Sequence, residues 1–227
     1  MRTLAVLPVK SFGAAKQRLA GALGTGAREA LAQAMFADVL SALRRVPQIH
    51  GIAVVTGDRR AQAAAAGDRV TVIDDPADAG HSEAAMLGVE RALAEGYERV
   101  LLVPGDTPLL DAREVGAVLD AAAADGTGLL VVPDRHGTGT NALLISPPDA
   151  IAPSFGPGSL DRHQDLARVA GISHRVEPVE SLLHDVDTAD DLAALGAALG
   201  ARRGLAGCTR GTLNQLGRAG AVPALAH

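Results

Sequence analysis

Short uncharged runs rich in Val, Leu and Ile alternate along this chain with longer stretches of helical periodicity, and that alternation most narrows what it can fold into. The runs at 4–9, 52–56, 70–73, 100–103, 129–132 and 142–145 read as strands, and 173–176 reads as a further one. Between the first two, residues 28–45 place Leu31, Met35 and Val39 at helical spacing, with Ala42 and Val46 continuing the stripe. An Ala-rich helix ends near Ala66, and Ser82 is the expected N-cap of a helix that reaches about residue 95 and stops at Gly96. Asp111 opens another through 124, 161–169 is helical, and Thr188 caps a final helix with Asp190 and Asp191 in its first turn. The expected class is therefore α/β, a parallel or mostly parallel sheet covered by helices.

At 227 residues the chain has the length of one domain with some to spare. Residues 1–200 are expected to form it. Residues 201–227, rich in Gly, Ala and Arg without a strong period, are expected to be a tail or a loosely packed extension. Twenty-one Lys and Arg against 26 Asp and Glu leave a formal charge of -5, so no general basic field exists to hold a long polyanion, and any phosphate grip must be local. With no Trp, one Tyr and three Phe, base-stacking platforms are missing too, and nucleic acid is excluded as an expected partner. The single Cys208 rules out an internal disulfide and a multi-cysteine zinc site and suits a reducing compartment. The opening MRTLAVLPVK is too short an apolar run for a signal peptide or a membrane span, which makes the expected protein soluble, cytoplasmic and without a membrane partner.

In an open α/β sheet the ligand lies beyond the C-terminal ends of the strands, so the loops there carry the chemistry. After the first strand, PVKSFGAAKQRL sets Lys10, Lys16 and Arg18 around a flexible segment, a pattern that suits a phosphate chain as well as a plain solvated loop. It lacks GxGxxG and GxxxxGK, so neither the dinucleotide nor the P-loop fingerprint applies. Asp106, in PGDTPLL directly after an apolar strand, can hold magnesium against phosphate oxygens, with helix capping as the alternative. A second acidic cluster, HDVDTADDL, offers Asp185 and Asp187; capping beside Thr188 accounts for Asp187 and leaves Asp185 as the candidate ligand. DRHGTGTNALL and FGPGSL are Gly-punctuated loops in which Thr140, Gly156 and Ser159 would let amides and hydroxyls approach a compact anion, or would serve as ordinary turns. His81 reads as a solvated loop residue, and none of the seven His is given a metal role.

Taken together and in this order, PVKSFGAAKQRL, PGDTPLL, DRHGTGTNALL, FGPGS with His163 after it, and DVDTADDL resemble the guanylyltransferases of coenzyme F-420 biosynthesis, which activate 2-phospho-L-lactate or phosphoenolpyruvate with GTP. The resemblance spans most of residues 3–200. PGDTPLL alone is shared by many nucleotidyltransferases, whereas GTGTNAL followed by FGPGS is specific. It implies a single-domain, Rossmann-like fold of the nucleotide-diphospho-sugar transferase kind with a central mixed sheet. It also implies magnesium on Asp106 and Asp185, the phosphorylated three-carbon acid on Thr140, Gly156 and Ser159, and nucleotide phosphates near Lys10, Lys16 and Arg18. GTP and that acid are the implied small-molecule partners, a downstream F-420 transferase follows in the pathway, and a homodimer is compatible. Where relatives commonly carry LNxA at a helix start, this chain has His81, Ser82, Glu83 and Ala84, which bears on nucleotide binding.

The expected reaction is in-line attack by the acceptor's phosphate on the α-phosphorus of GTP, with diphosphate leaving. A phosphate is already an anionic nucleophile, so positioning and charge neutralisation dominate. The resemblance favours phosphoenolpyruvate over 2-phospho-L-lactate. Nucleotidyl transfer to another acceptor, such as 3-phosphoglycerate, a sugar phosphate or a pterin cofactor, and a non-catalytic nucleotide-binding module on the same fold, are the alternatives.

Overall fold

The computed structural model describes residues 1–219. Its backbone follows the alternation: β1 (Thr3–Pro8), α1 (Thr25–Leu43), β2 (Gly51–Thr56), α2 (Arg59–Ala65), β3 (Val70–Asp74), α3 (His81–Ala94), β4 (Arg99–Leu102), α4 (Ala112–Asp125), β5 (Leu129–Pro133), β6 (Thr140–Ile145), α5 (Ser159–Ala170), β7 (His174–Val176), α6 (Ala189–Ala201) and α7 (Gly207–Arg218). The strands form one sheet in the order β3-β2-β1-β4-β6-β5-β7. β1, β2, β3 and β4 run parallel, β6 is antiparallel to β4 and β5, and β7 returns to parallel beside β5. The expected mixed, mostly parallel sheet is borne out.

β1, β2, β4 and β5 are buried along their whole length, which is why they read as unbroken apolar runs and not as alternating ones. Leu4 and Val6 of β1 point into the core beneath α3 and α5, while Ala5 and Leu7 point into the opposite one, beneath α1, α2 and α4. On the first side α3 offers Ala84, Ala85, Gly88 and Ala92; a Cβ on Gly88 would stand 2.2 Å from Val6 Cγ1, so only glycine lets the helix lie this close. That close approach brings the first turn of α3 to the end of β1. The chain progresses from β1 outward through β2 and β3, then crosses back to β4 on the other side of β1. The crevice between the C-terminal ends of β1 and β4 is the switch point at which such sheets bind ligands.

Two expectations need correction. Ser82 is not the N-cap of α3: Gly80 holds that place and the helix starts at His81. The helix after Thr188 is not the last, because 207–218, expected as part of a loose tail, is α7, which packs against α1 with Thr209 and Leu213 buried. Asp38 of α1 holds its first turn, accepting from the backbone N–H of Cys208 (3.0 Å) and Thr209 (2.7 Å). The rest of the expected tail, 220–227, lies outside the described residues. No helix among those described is long and apolar enough to cross a membrane.

Candidate active site

The loop after β1 is held by Asp58, which sequence reading did not single out. One carboxylate oxygen caps α2 through the N–H of Arg60 (2.7 Å), and the other accepts from Phe12 N (2.8 Å) and Ser11 Oγ (3.2 Å). Burial alone would raise the Asp58 pKa, but these donors outweigh it and hold the carboxyl below its ordinary range. With Phe12 and Leu19 anchored in the core, the chain between them turns through Lys16 at φ 57°, ψ 38°, a left-handed conformation uncommon for a residue with a Cβ. Strain of this kind persists where the surroundings over-determine it.

That turn drives Lys16 into the crevice. Its side chain is only 7% exposed, and the ammonium donates to Asp106 and, at 3.1 Å, to Asp187, while the largely exposed Arg18 lies 3.8 Å from the second Asp187 oxygen. Burial pulls the Lys16 pKa down, yet the two carboxylates outweigh it and push the pKa up, so the side chain stays charged. Lys10, Lys16, Arg18, Asp106 and Asp187 thus line one cleft of about 410 Å³, together with His81 and the backbone of Gly105. The second oxygen of Asp106, Oδ1, is buried with no partner in the protein. An orphaned carboxylate oxygen on a residue that lines such a site is what a hard cation or a donor from a ligand would satisfy.

Asp185 stands beside this group. Its carboxyl is pushed up to about 6, first by burial and then by the charge of Asp106, with Asp187 adding to it; Asn141 Nδ2, which donates to it at 3.2 Å, pulls the other way. Among the described residues no cluster of three or more His, Cys, Asp or Glu is arranged to hold a metal, so these residues offer a cation at most a carboxylate pair. This suits magnesium, which keeps most of its shell for water and substrate phosphates.

Thr140, Gly156 and Ser159 form a second cluster outside the cleft lining. Thr140 and Asn141 open β6 and diverge, Asn141 toward Asp185 and Thr140 toward the start of α5, where its hydroxyl meets Ser159 Oγ at 3.1 Å and His163 Nδ1 at 3.0 Å. Gly156 (φ 111°) and Gly158 (φ 70°) make the left-handed turns that lead the chain into the α5 N-terminus, where the Ser159 N–H donates to Gly156 O (3.0 Å) and the Leu160 N–H to Thr138 O (3.3 Å). Arg162 gathers the same loop by donating to the carbonyls of Ser154 (3.1 Å) and Phe155 (3.2 Å). The two clusters touch through Phe155, whose ring lies edge-on to His81 at 4.5 Å and whose N–H donates to Ser82 Oγ at 2.9 Å. His81 is therefore no solvated loop residue; burial pushes its pKa down.

Residues 3–198 match the family model described as Guanylyl transferase CofC like. The chain belongs to this guanylyl transferase family. It is 48% identical over 216 residues to the phosphoenolpyruvate guanylyltransferase of Conexibacter woesei, a match covering 95% of this chain and 97% of that one. It is 38% identical over 195 residues to the protein of the same name from Sphaerobacter thermophilus, covering 86% and 93%. Among solved structures it is similar to a protein described as a nucleotide-diphospho-sugar transferase from Desulfovibrio desulfuricans G20 (TM-score 0.77, 19% identity, 96% of each chain). A nucleotidyl transferase from Methanothermobacter gives a TM-score of 0.61 at 19% identity, with 86% and 95% covered. At such identities these structures speak for the fold, which is the one expected.

Against the family's motifs, the residue sequence reading set aside is Asp187, whose position beside Thr188 suggested capping. The cap is in fact a box between Thr188 and Asp191, and this leaves Asp187 free to reach Lys16. Asp185 carries a prediction of its own. Its folded carboxyl titrates near 6 against an ordinary 3.8, so between those values the folded chain holds the extra proton and stability falls as pH rises. Above about pH 6 the penalty is on the order of 1–3 kcal/mol. Asp185→Asn in the metal-free protein is expected to melt higher than the parent at pH 7.5, with the gain shrinking toward about pH 4. A gain that is absent, or equal at both pH values, would contradict the assignment; thermal melts in EDTA decide it.

Proposed function

We propose that the protein transfers GMP from GTP to phosphoenolpyruvate with release of diphosphate, as a step in coenzyme F-420 assembly. The observation that carries this is the switch-point cleft, where Lys10, Lys16 and Arg18 of one loop face Asp106 and Asp187 across the ends of β1 and β4. Cations for a triphosphate and carboxylates for a divalent ion are what nucleotidyl transfer requires, and the names of the relatives supply guanine and phosphoenolpyruvate.

In the proposed reaction a phosphate oxygen of the acid attacks the α-phosphorus of GTP, and the bond from that phosphorus to the bridging oxygen of diphosphate breaks. Lys16 and Lys10 neutralise charge on the triphosphate, with Arg18 at the open end. Thr140, Ser159 and the amides beyond Gly156 hold the acid in line. Asp106 and Asp185 fit magnesium, since one has an orphaned buried oxygen and the other a carboxyl whose ionisation is resisted until a cation arrives. When bound, magnesium would screen the phosphates and align them for displacement. No histidine or cysteine nucleophile is called for. The product would pass to the transferase that loads the deazaflavin.

The reading is tested by offering the protein GTP, magnesium and, separately, phosphoenolpyruvate, 2-phospho-L-lactate and 3-phosphoglycerate, and measuring diphosphate. Release with phosphoenolpyruvate in preference to the other two is expected. Preference for another acid would overturn the acceptor, and the same rate with ATP or CTP would overturn the guanine assignment.

A further inference from the structure

We propose that His163 is a positioning residue whose tautomer makes the Thr140–Ser159 hydroxyl pair an outward-facing hydrogen-bond donor for an anionic oxygen of the acceptor. This rests on the reading above that the cluster takes the phosphorylated acid.

His163 lies in the first turns of α5 and is fully buried. Its Nε2 is 2.9 Å from the backbone N of Ser154. A backbone N–H can only donate, so Nε2 presents its lone pair. Burial of the ring, reinforced by the adjacent Arg162 guanidinium, disfavours a second proton and lowers the pKa to about 4. The single ring proton is then on Nδ1, which donates to Thr140 Oγ1 at 3.0 Å.

This direction decides what the two hydroxyls can do. Thr140 and Ser159 bring two hydroxyl protons, and the 3.1 Å bond between them uses one, whichever way it runs. Because His163 donates, it consumes neither. One hydroxyl proton is always left over, with no other acceptor for it in the protein among the described residues. In the opposite tautomer Thr140 would donate to Nδ1 and Ser159 to Thr140, and the cluster would have no donor to spare. It would also set the Nε2 proton against the Ser154 N–H. The chain from Ser154 through His163 to the hydroxyl pair therefore ends in a donor, which favours a carboxylate or phosphate oxygen over a neutral donor group. Ser159 is buried and Thr140 only partly so, which leaves the Thr140 side as the one from which such an oxygen would approach.

Two measurements test this. In the free protein with 15N-labelled histidine, His163 should show a protonated Nδ1 and an unprotonated Nε2; the reverse tautomer, or a doubly protonated ring at neutral pH, overturns the proposal. In steady-state assays His163→Phe, which keeps a ring and removes both nitrogens, should raise KM for phosphoenolpyruvate about 10-fold while KM for GTP changes less than about twofold. His163→Asn, which restores an amide near the Nδ1 position, should recover part of that loss. Equal changes in both KM values, or a loss confined to kcat, would reduce His163 to a structural role and overturn the proposal. Should His163→Phe fail to fold, the tautomer and His163→Asn decide. If the parent does not transfer GMP to phosphoenolpyruvate, the reading of the reaction fails, while the tautomer measured without substrate still upholds or overturns the role of His163.

Discussion

Asp106→Asn is expected to lower magnesium-dependent diphosphate release by at least about 100-fold, the scale seen when one preorganised electrostatic contact is removed from a transition state. The change keeps the shape of the side chain and deletes its charge. In the structure that charge has two jobs, since one oxygen accepts from Lys16 and the other is buried without a partner. An internal check separates loss of charge from loss of fold. Asp106 is the second largest cause, after burial, of the raised Asp185 pKa, so in Asp106→Asn the Asp185 carboxyl should titrate below about 6, closer to the ordinary carboxylate range. A 13C-detected titration reads this in the same preparation used for kinetics. Turnover close to the parent at saturating magnesium would show that Asp106 is not a required ligand. A dead variant with an unmoved Asp185 would place the fault in the fold instead.

What could be read from the sequence, and what could not, divides by the range of the interactions. The strands β1, β2, β4, β5 and β6 are legible because burial on both faces leaves a local signature, and Asp106 is legible because it follows such a strand directly. Thr188 and Asp191 satisfy each other within one turn, so that helix start was also readable. Most of what the sequence does not show depends on a partner far along the chain. Asp58 looks like an ordinary cap of α2 until the fold brings Phe12 to its second oxygen. α7 looks like a tail because Gly207, Gly211 and Gly217 weaken its pattern, and its first turn is satisfied by Asp38 from a helix more than 160 residues earlier. His81 looked solvated because nothing nearby in sequence announces Phe155. Asp187 differs: beside Thr188 capping explains it adequately, and only three-dimensional placement shows that the cap lies elsewhere and that Asp187 meets Lys16.

Lys16→Met should reduce turnover by about 100-fold or more while increasing the affinity of the free protein for a divalent cation, and these opposite signs make it a sharper test than activity alone. Met has a similar length and tolerates the buried stem, so the main change is loss of the ammonium between Asp106 and Asp187. Without it, Asp106, Asp185 and Asp187 repel one another with only the largely exposed Arg18, beside Asp187, to offset them, and a divalent ion is the best remaining partner for Asp106 and Asp185. Manganese binding followed by electron paramagnetic resonance would register the gain. During transfer the same lysine is proposed to meet the triphosphate, where a cation held in a dry, prepositioned site acts more strongly than one in water. Arg210→Ala is the appropriate control: its guanidinium donates to Leu199 O at 2.7 Å at the end of α6, away from the cleft lining, and turnover should stay within about twofold of the parent. Equal effects at Lys16 and Arg210 would remove the first loop from the site. A Lys16→Met protein that binds manganese more weakly than the parent would mean that Lys16 holds the carboxylates in place for the metal, and does not compete with it for Asp106.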